Sequence, residues 1–417
     1  MASNLLKENE FKTTRCILAG IIKNEQDEES LEELELLAKT AGAEVVAKAT
    51  QKKASIDPAY YIGKGKAHEI AEVAKTLEVN AVIFDDDLTP VQVRNLENLL
   101  ELQIIDRTTL ILDIFAQRAK SREGKIQVEL AQLQHLLPRL TGKGIELSRF
   151  GGGIGTRGPG ETKLETDKRH IKRRIVHLKK ELEKIQKSRS LIRKARKFPV
   201  ICLVGYTNAG KSTLMNTLTK ANVSNKDRLF DTLDTTTRLL LLPDGRKALL
   251  SDTVGFIRKL PHEIVEAFKA TLEEVRDADL LLIVADYSSK NFETEIETVF
   301  KVLKEIGAES KPKVLALNKG DKFPIIPVNA LNFENAVEIS ALYNRNLDKL
   351  LLKICEVLPK TRKRVEFLVP YDKLSIIDTI FENGLIFSKE YLENGIKISG
   401  EIEESIISKY EDYLMGE

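Results

Sequence analysis

The stretch that most limits what this chain can fold into runs from Phe198 to Thr213, FPVICLVGYTNAGKST. An apolar run of strand character, Pro199 to Val204, leads straight into Gly205. Tyr206-Thr207-Asn208-Ala209 follow, and then Gly210-Lys211-Ser212-Thr213. This is G-x-x-x-x-G-K-S set between a buried strand and a helix predicted over Lys211 to Lys220. Glycines let the backbone close around phosphate, and the N–H groups of a helix N-terminus favour an anion there. Lys211 is expected to reach the β- and γ-phosphates, and the Ser212 hydroxyl to ligate Mg²⁺. The alternative is a glycine turn with a chance Lys-Ser. The strand and helix flanks argue against it.

More such motifs follow in order. Phe230-Asp231-Thr232-Leu233-Asp234 stands where a switch loop would lie. Thr232 is the candidate second Mg²⁺ ligand, with Thr236 as runner-up. Arg238–Leu242 and Arg246–Ser251 flank Pro243-Asp244-Gly245 and read as a hairpin. The hairpin ends in Asp252-Thr253-Val254-Gly255, where Asp252 would hold the Mg²⁺ shell and the Gly255 N–H would meet the γ-phosphate. Lys211, Thr232 and Gly255 are therefore the expected catalytic set.

A helix over Pro261–Arg276 and a strand over Leu280–Ala285 come next. A further strand, Val314–Leu317, ends in Asn318-Lys319-Gly320-Asp321. The Asp321 carboxylate can accept from guanine N1–H and the exocyclic amine. Adenine offers neither donor there, which penalises ATP. Ser340-Ala341-Leu342 would bring backbone to the guanine O6. One such tetrapeptide arises often by chance, but five in order, each after a predicted strand, specify a GTP- and GDP-binding domain over residues 198–360.

The rest of the 417 residues suits two or three further units. Residues 1–108 alternate short apolar strands (14–18, 44–49, 81–84, 103–106) with helices at Glu28–Lys39, Lys66–Leu77 and Pro90–Leu100, a small α/β domain. Within it, Tyr60-Tyr61-Ile62-Gly63-Lys64-Gly65-Lys66 reads as a glycine-bearing turn with solvated lysines, ahead of a base-stacking RNA contact.

Residues 109–197 read as an antiparallel coiled-coil hairpin. Thr109–Leu140 is expected as one helix with a seam at Ile126, Leu130, Leu133, Leu137 and Leu140. Lys168–Lys197 faces it with Ile171, Ile175, Leu178, Leu182, Ile185 and Ile192. The joining loop, Thr141 to Gly160, is rich in glycine and makes a tip. Lys168–Lys197 holds 14 Lys/Arg against two acids, a bias that suits phosphate neutralisation on RNA. Residues 361–417 read as a small α/β module. It has strands at Val365–Val369, Gly384–Phe387 and Gly395–Ser399, and helices at Tyr371–Phe381 and Glu401–Leu414. The fold class expected is thus multidomain α/β.

Cys16, Cys202 and Cys355 lie far apart without metal-ligand spacing and read as reduced thiols. No run approaches the ~18 apolar residues of a membrane span, and the first residues lack an apolar leader. A cytoplasmic monomer is expected.

The sequence resembles the HflX family of ribosome-associated GTPases over nearly its full length. The shared strings include Ile105-Asp106-Arg107-Thr108, Leu110 to Ala119, Gln127 to Leu133, Gly158 to Asp167, Phe230 to Asp234, Leu260-Pro261-His262-Glu263 and Ala267 to Leu272. The resemblance implies GTP hydrolysis, binding to the large ribosomal subunit and its rRNA, and the splitting or rescue of stalled ribosomes under stress. Two rival readings are a nucleotide-gated RNA-binding scaffold and an ATP-dependent RNA remodeller, an activity attributed to some relatives.

Two positions depart from related patterns. Ras-like GTPases carry a water-orienting glutamine after the D-x-x-G glycine. Here that residue is Phe256, a replacement the family shares, which implies slow turnover until a partner completes the site. Asp234-Thr235-Thr236 stands where the family commonly has a central proline. Finally, Asn208 occupies the position of an asparagine K⁺ ligand in similar potassium-using GTPases. The alternative is an asparagine that only caps the loop.

Overall fold

The computed structural model describes residues 14–140, 159–194, 198–219, 236–253, 255–259, 269–322, 333–359 and 362–415. It is a multidomain α/β chain. The first unit is built on β1 (Arg15–Ile22), whose residues are nearly all buried because it lies inside a parallel sheet covered on both faces. With β2 (Glu44–Lys52), β3 (Ala81–Phe84) and β4 (Gln103–Asp106) it forms an all-parallel sheet of order β2-β1-β3-β4. The crossovers carry α1 (Glu25–Thr40), α2 (Lys64–Thr76) and α3 (Pro90–Leu100). Local chemistry fixes where two of these helices begin. Asn24 with Asp27, and Thr89 with Gln92, form reciprocal capping boxes, and Pro90 sits in the first turn of α3. Tyr61 is 1% exposed, packs edge-on against Phe84 and donates to Asp86, so its ring is not offered to a base.

The single helix expected over Thr109–Leu140 is two helices, α4 (Arg107–Arg118) and α5 (Arg122–Arg139). Ala119 leaves the helical region with ψ 111°, and the Ser121 side chain accepts from the Gly124 N–H at 2.9 Å to start α5. Leu110, Ile111, Ile114 and Phe115 of α4 pack in the core of the first unit, under α1. Only α5 carries the seam. Ile126, Leu130 and Leu133 meet Ile175, Leu178, Leu182 and Ile185 of α6 (Pro159–Lys194), while Leu137 and Leu140 are not part of that cluster. The pairs Arg122–Glu181 at 3.0 Å and Arg174–Glu129 at 2.7 Å show that α5 and α6 run antiparallel. Residues 141–158 of the tip and 195–197 after α6 lie outside the described residues.

The hairpin is tied to the first sheet at Asp106. This buried carboxylate caps α4 through the Thr109 N–H at 3.0 Å and accepts from Arg139 and from His135 on α5. Burial works to raise its pKa. The His135 hydrogen bond and the Arg139 charge outweigh burial and hold it well below the usual carboxylate range.

The third unit is a six-stranded sheet of order β10-β9-β8-β5-β7-β6. Its strands are β5 (Val200–Val204), β6 (Thr236–Leu241), β7 (Lys247–Asp252), β8 (Leu280–Asp286), β9 (Lys313–Asn318) and β10 (Ala336–Glu338). All pair in parallel except β6, which forms the expected hairpin with β7. The helices described are α7 (Lys211–Leu218), α8 (Lys269–Arg276), α9 (Phe292–Glu305) and α10 (Leu347–Val357).

The last unit is an antiparallel sheet β11 (Arg362–Val369), β13 (Gly395–Glu403), β12 (Gly384–Leu392), with α11 (Ser375–Asn383) and α12 (Glu404–Lys409). The helix expected from Glu401 starts three residues later. Ile402 alternates with Ile396 and Ile398 into the core and keeps the chain extended to Glu403. No described helix is long and apolar enough to cross a membrane.

Candidate active site

The glycine loop lies at the carboxyl end of β5, between β7 and β8, where open parallel sheets keep their ligand crevice. Gly210 has φ 92° and opens α7, and a Cβ there would run into the Asn318 amide. Lys211 is buried, and its Nζ donates to the carbonyls of Gly205 at 3.1 Å and Tyr206 at 2.8 Å. Burial pushes its pKa down to about 8, and an anionic phosphate beside it would favour the charged form again. The Ser212 hydroxyl donates to Asp252 Oδ2 at 2.9 Å, so two hard oxygen donors converge at the head of α7. The Thr207 hydroxyl is buried with no hydrogen-bond partner among the described residues. Such a donor set fits a magnesium-bound phosphate chain.

The remaining motifs are laced to this loop by one side chain. Asn318 Nδ2 donates to the Ala209 carbonyl at 2.9 Å, and its Oδ1 accepts from the Ala341 N–H at 2.9 Å. Ser340 is buried beneath that contact, while Leu342 is 71% exposed at the rim. Lys319 reaches Asp286 at 2.6 Å, Gly320 donates to the Ile339 carbonyl at 3.0 Å, and Asp321 stands exposed. Asn208, with φ 61°, also faces out, and Thr213 is half-buried. Thr253 is anchored through its hydroxyl to the Leu203 carbonyl at 2.6 Å. Phe230, Asp231, Thr232, Leu233, Asp234 and Val254 lie outside the described residues. Thr236 is exposed at the first position of β6, opposite Asp252.

Gly255 sits so close to the loop that an added Cβ would lie 2.9 Å from both Lys211 Nζ and Thr207 Cα. After it, the Phe256 N–H donates to the Gly205 carbonyl at 3.0 Å, and the Thr207 N–H donates to the Phe256 carbonyl at 2.8 Å. The Phe256 ring is 2% exposed in the core with Val204 and Val275, turned into the protein rather than offered to water.

The sequence reading missed what the Tyr206 side chain does. Its hydroxyl leaves the loop to donate to Glu33 on α1 at 2.5 Å and accepts from the Arg258 N–H at 2.9 Å. Arg107, Arg258 and Lys259 join the same group. Arg107 and its neighbour Asp106 stood in the string Ile105-Asp106-Arg107-Thr108. That string signalled a constraint there without saying what it was.

Residues 28–116 match the family described as GTP-binding GTPase N-terminal, 118–196 that described as GTP-binding GTPase Middle Region, and 200–319 that described as 50S ribosome-binding GTPase. The chain is 49% identical over 96% of its length to the GTPase HflX of Caldanaerobacter subterraneus, covering 94% of that protein. It is 46% identical over 91% of its length to the GTPase HflX of Alkalihalophilus pseudofirmus, covering 90% of it. With the GTPase HflX of Escherichia coli it shares 48% identity over 80% of each chain.

Proposed function

The chain belongs to the HflX family of GTPases, and from that premise we propose that it acts on the large ribosomal subunit and splits or rescues stalled ribosomes under stress. The observation that carries the reading is the match of residues 200–319 to a 50S ribosome-binding GTPase, in a chain that also holds a long basic helix, α6. GTP hydrolysis is the family's activity, and magnesium accompanies the nucleotide in this fold.

The site residues take the following roles in this proposal. Backbone from Gly205 to Thr213 cradles the phosphates, Lys211 neutralises the β- and γ-groups, and the Gly255 N–H meets the γ-phosphate. Ser212, Thr232 and Asp252 hold the Mg²⁺ shell. The ion would supply charge neutralisation across the transferred phosphoryl group. Asn318 and Asp321 select guanine, and Ser340 to Leu342 close over its O6 edge. Asn208 would hold a K⁺ beside the phosphates, in the role an arginine finger plays elsewhere.

The test is single-turnover GTP hydrolysis with and without isolated large ribosomal subunits, in KCl and in NaCl at equal ionic strength. Stimulation by the subunits and a higher rate in KCl are expected. Unstimulated turnover would favour a scaffold whose hydrolysis is incidental, ATP turnover of the same size would favour a remodeller, and equal rates in both salts would remove the potassium role.

A further inference from the structure

The proposed guanine site begins where two neighbouring strands of the GTPase sheet end. β8 and β9 pair in parallel with Asp286 opposite Asn318, so Lys319 leaves the sheet beside the last residue of β8. Lys319 takes φ 63° there, in the left-handed region that a residue with a Cβ enters only at a cost. Its backbone is held on both sides. The Tyr287 N–H donates to the Asn318 carbonyl at 2.8 Å, and the Gly320 N–H donates to the Ile339 carbonyl at 3.0 Å. The side chain is held as well: Lys319 Nζ pairs with Asp286 Oδ2 at 2.6 Å, the two side chains being 21% and 17% exposed. Asp286 is itself fixed, because its Oδ1 accepts from the Ser288 N–H at 3.0 Å and from the Ser288 hydroxyl at 2.6 Å.

We infer that Asp286 is a positioning residue for guanine-nucleotide binding and acts through Lys319. The inference rests on the assignment of Asn318 to Asp321 as the guanine site. Within that segment Asn318 ties the chain to the phosphate loop at the Ala209 carbonyl, and Asp321 stands exposed two residues past Lys319. Lys319 lies between these two positions.

A lysine carries its ammonium on a flexible four-carbon stem, and fixing that stem costs side-chain entropy. The ion pair with Asp286 orders it before any nucleotide arrives. The stem is apolar along its length, so once its head is fixed it offers one wall for a flat heteroaromatic ring. A site ordered in advance binds more tightly than one its ligand must order. The pair lies at the base end of the site, away from Lys211 and Gly255, so its effect falls on affinity and release rather than on the chemical step.

The test uses the full chain carrying Asp286→Asn, Lys319→Met, both together, and Asp321→Asn. GDP affinity, GDP release rate, and KM and kcat for GTP hydrolysis are measured for each. Asp286→Asn should weaken GDP binding about tenfold, chiefly through faster release, and raise KM while kcat stays within about twofold. Lys319→Met keeps an apolar stem and removes the ammonium. In that background Asp286→Asn should change GDP affinity by less than about twofold, because the group through which it acts is gone. A carboxylate that only shaped the Ser288 turn would cost the same with or without the ammonium. The inference is overturned if Asp286→Asn binds GDP as the parent does, if its loss persists undiminished beside Lys319→Met, or if kcat falls while affinity holds. Asp321→Asn tests the guanine-site assignment separately. It should lose GDP affinity and gain affinity for xanthosine diphosphate, and a parent-like preference would overturn that assignment and the inference with it.

Discussion

At the scale of single residues, the candidate nucleotide site includes polar side chains that the fold has buried against their solvation preference. Lys211 is the plainest case, a buried ammonium whose hydrogen bonds among the described residues go to two carbonyls. Thr207 is the sharper one, since its hydroxyl is buried and has no partner among the described residues. An unsatisfied buried hydroxyl costs about 1–3 kcal/mol, which a fold tolerates where a ligand will satisfy the group. Thr207→Val keeps the shape and removes the hydroxyl. Nucleotide-free protein should then gain about 1 kcal/mol of stability in thermal or urea unfolding, while affinity for a non-hydrolysable GTP analogue falls. Unchanged stability together with unchanged affinity would mean that the hydroxyl has another partner and no part in binding. Tyr206 shows the limit of reading residues by motif. Its place in G-x-x-x-x-G-K-S marks it as backbone around phosphate, and its ring lies elsewhere.

At the scale of elements, hydrophobic period decided most assignments, and it failed where two elements shared one period. The pattern through Thr109–Leu140 is continuous in sequence, yet α4 turns its apolar face to α1 and α5 turns its own to α6. The break at Ala119 was visible only as Ser121 and Gly124, and such residues also occur inside helices. The nucleotide motifs were legible because their chemistry is local: a glycine turn, a lysine and an asparagine act within a few residues of a strand end. The ties of Glu33, Arg107 and Asp106 span tens to over a hundred residues, and no local pattern announces them. Asp106 carries a prediction of its own. As its pKa is depressed in the folded state, its contribution is present above the unfolded carboxylate pKa and is lost as pH falls through the lower folded value. Asp106→Asn should therefore cost about 3 kcal/mol at neutral pH by leaving Arg139 without its buried counter-charge, and should lessen the acid lability of the protein. Urea unfolding at pH 7 and at about pH 2 measures both effects. A variant as stable as the parent at pH 7 would show that α5 does not depend on this tie.

At the scale of the whole molecule, the order of contacts gives a route from the hairpin to the nucleotide. Arg139 and His135 of α5 hold Asp106, the next residue Arg107 holds Glu33 and the Arg258 carbonyl, and Glu33 holds Tyr206 in the phosphate loop. A direct route from α6 into β5 would pass through residues 195–197, outside the described chain. The route through the first unit is the one made of described contacts. The two hairpin helices differ accordingly: α5 makes the contacts to Asp106 of the first unit, and α6 carries the charge. Lys172, Arg173, Lys179 and Lys180 of α6 are all exposed, whereas Arg174 is engaged by Glu129 at 2.7 Å. Replacing these four by glutamine should weaken binding to large ribosomal subunits and flatten its dependence on salt, by about 0.7 to 0.9 log-log units for each phosphate no longer neutralised. Intrinsic hydrolysis and GDP affinity should not move, because none of the four touches the residues that run from Asp106 to Tyr206. Titrations at several KCl concentrations read the slope directly. If affinity falls while the slope stays fixed, those side chains are not meeting phosphates, and the basic bias of α6 has another cause.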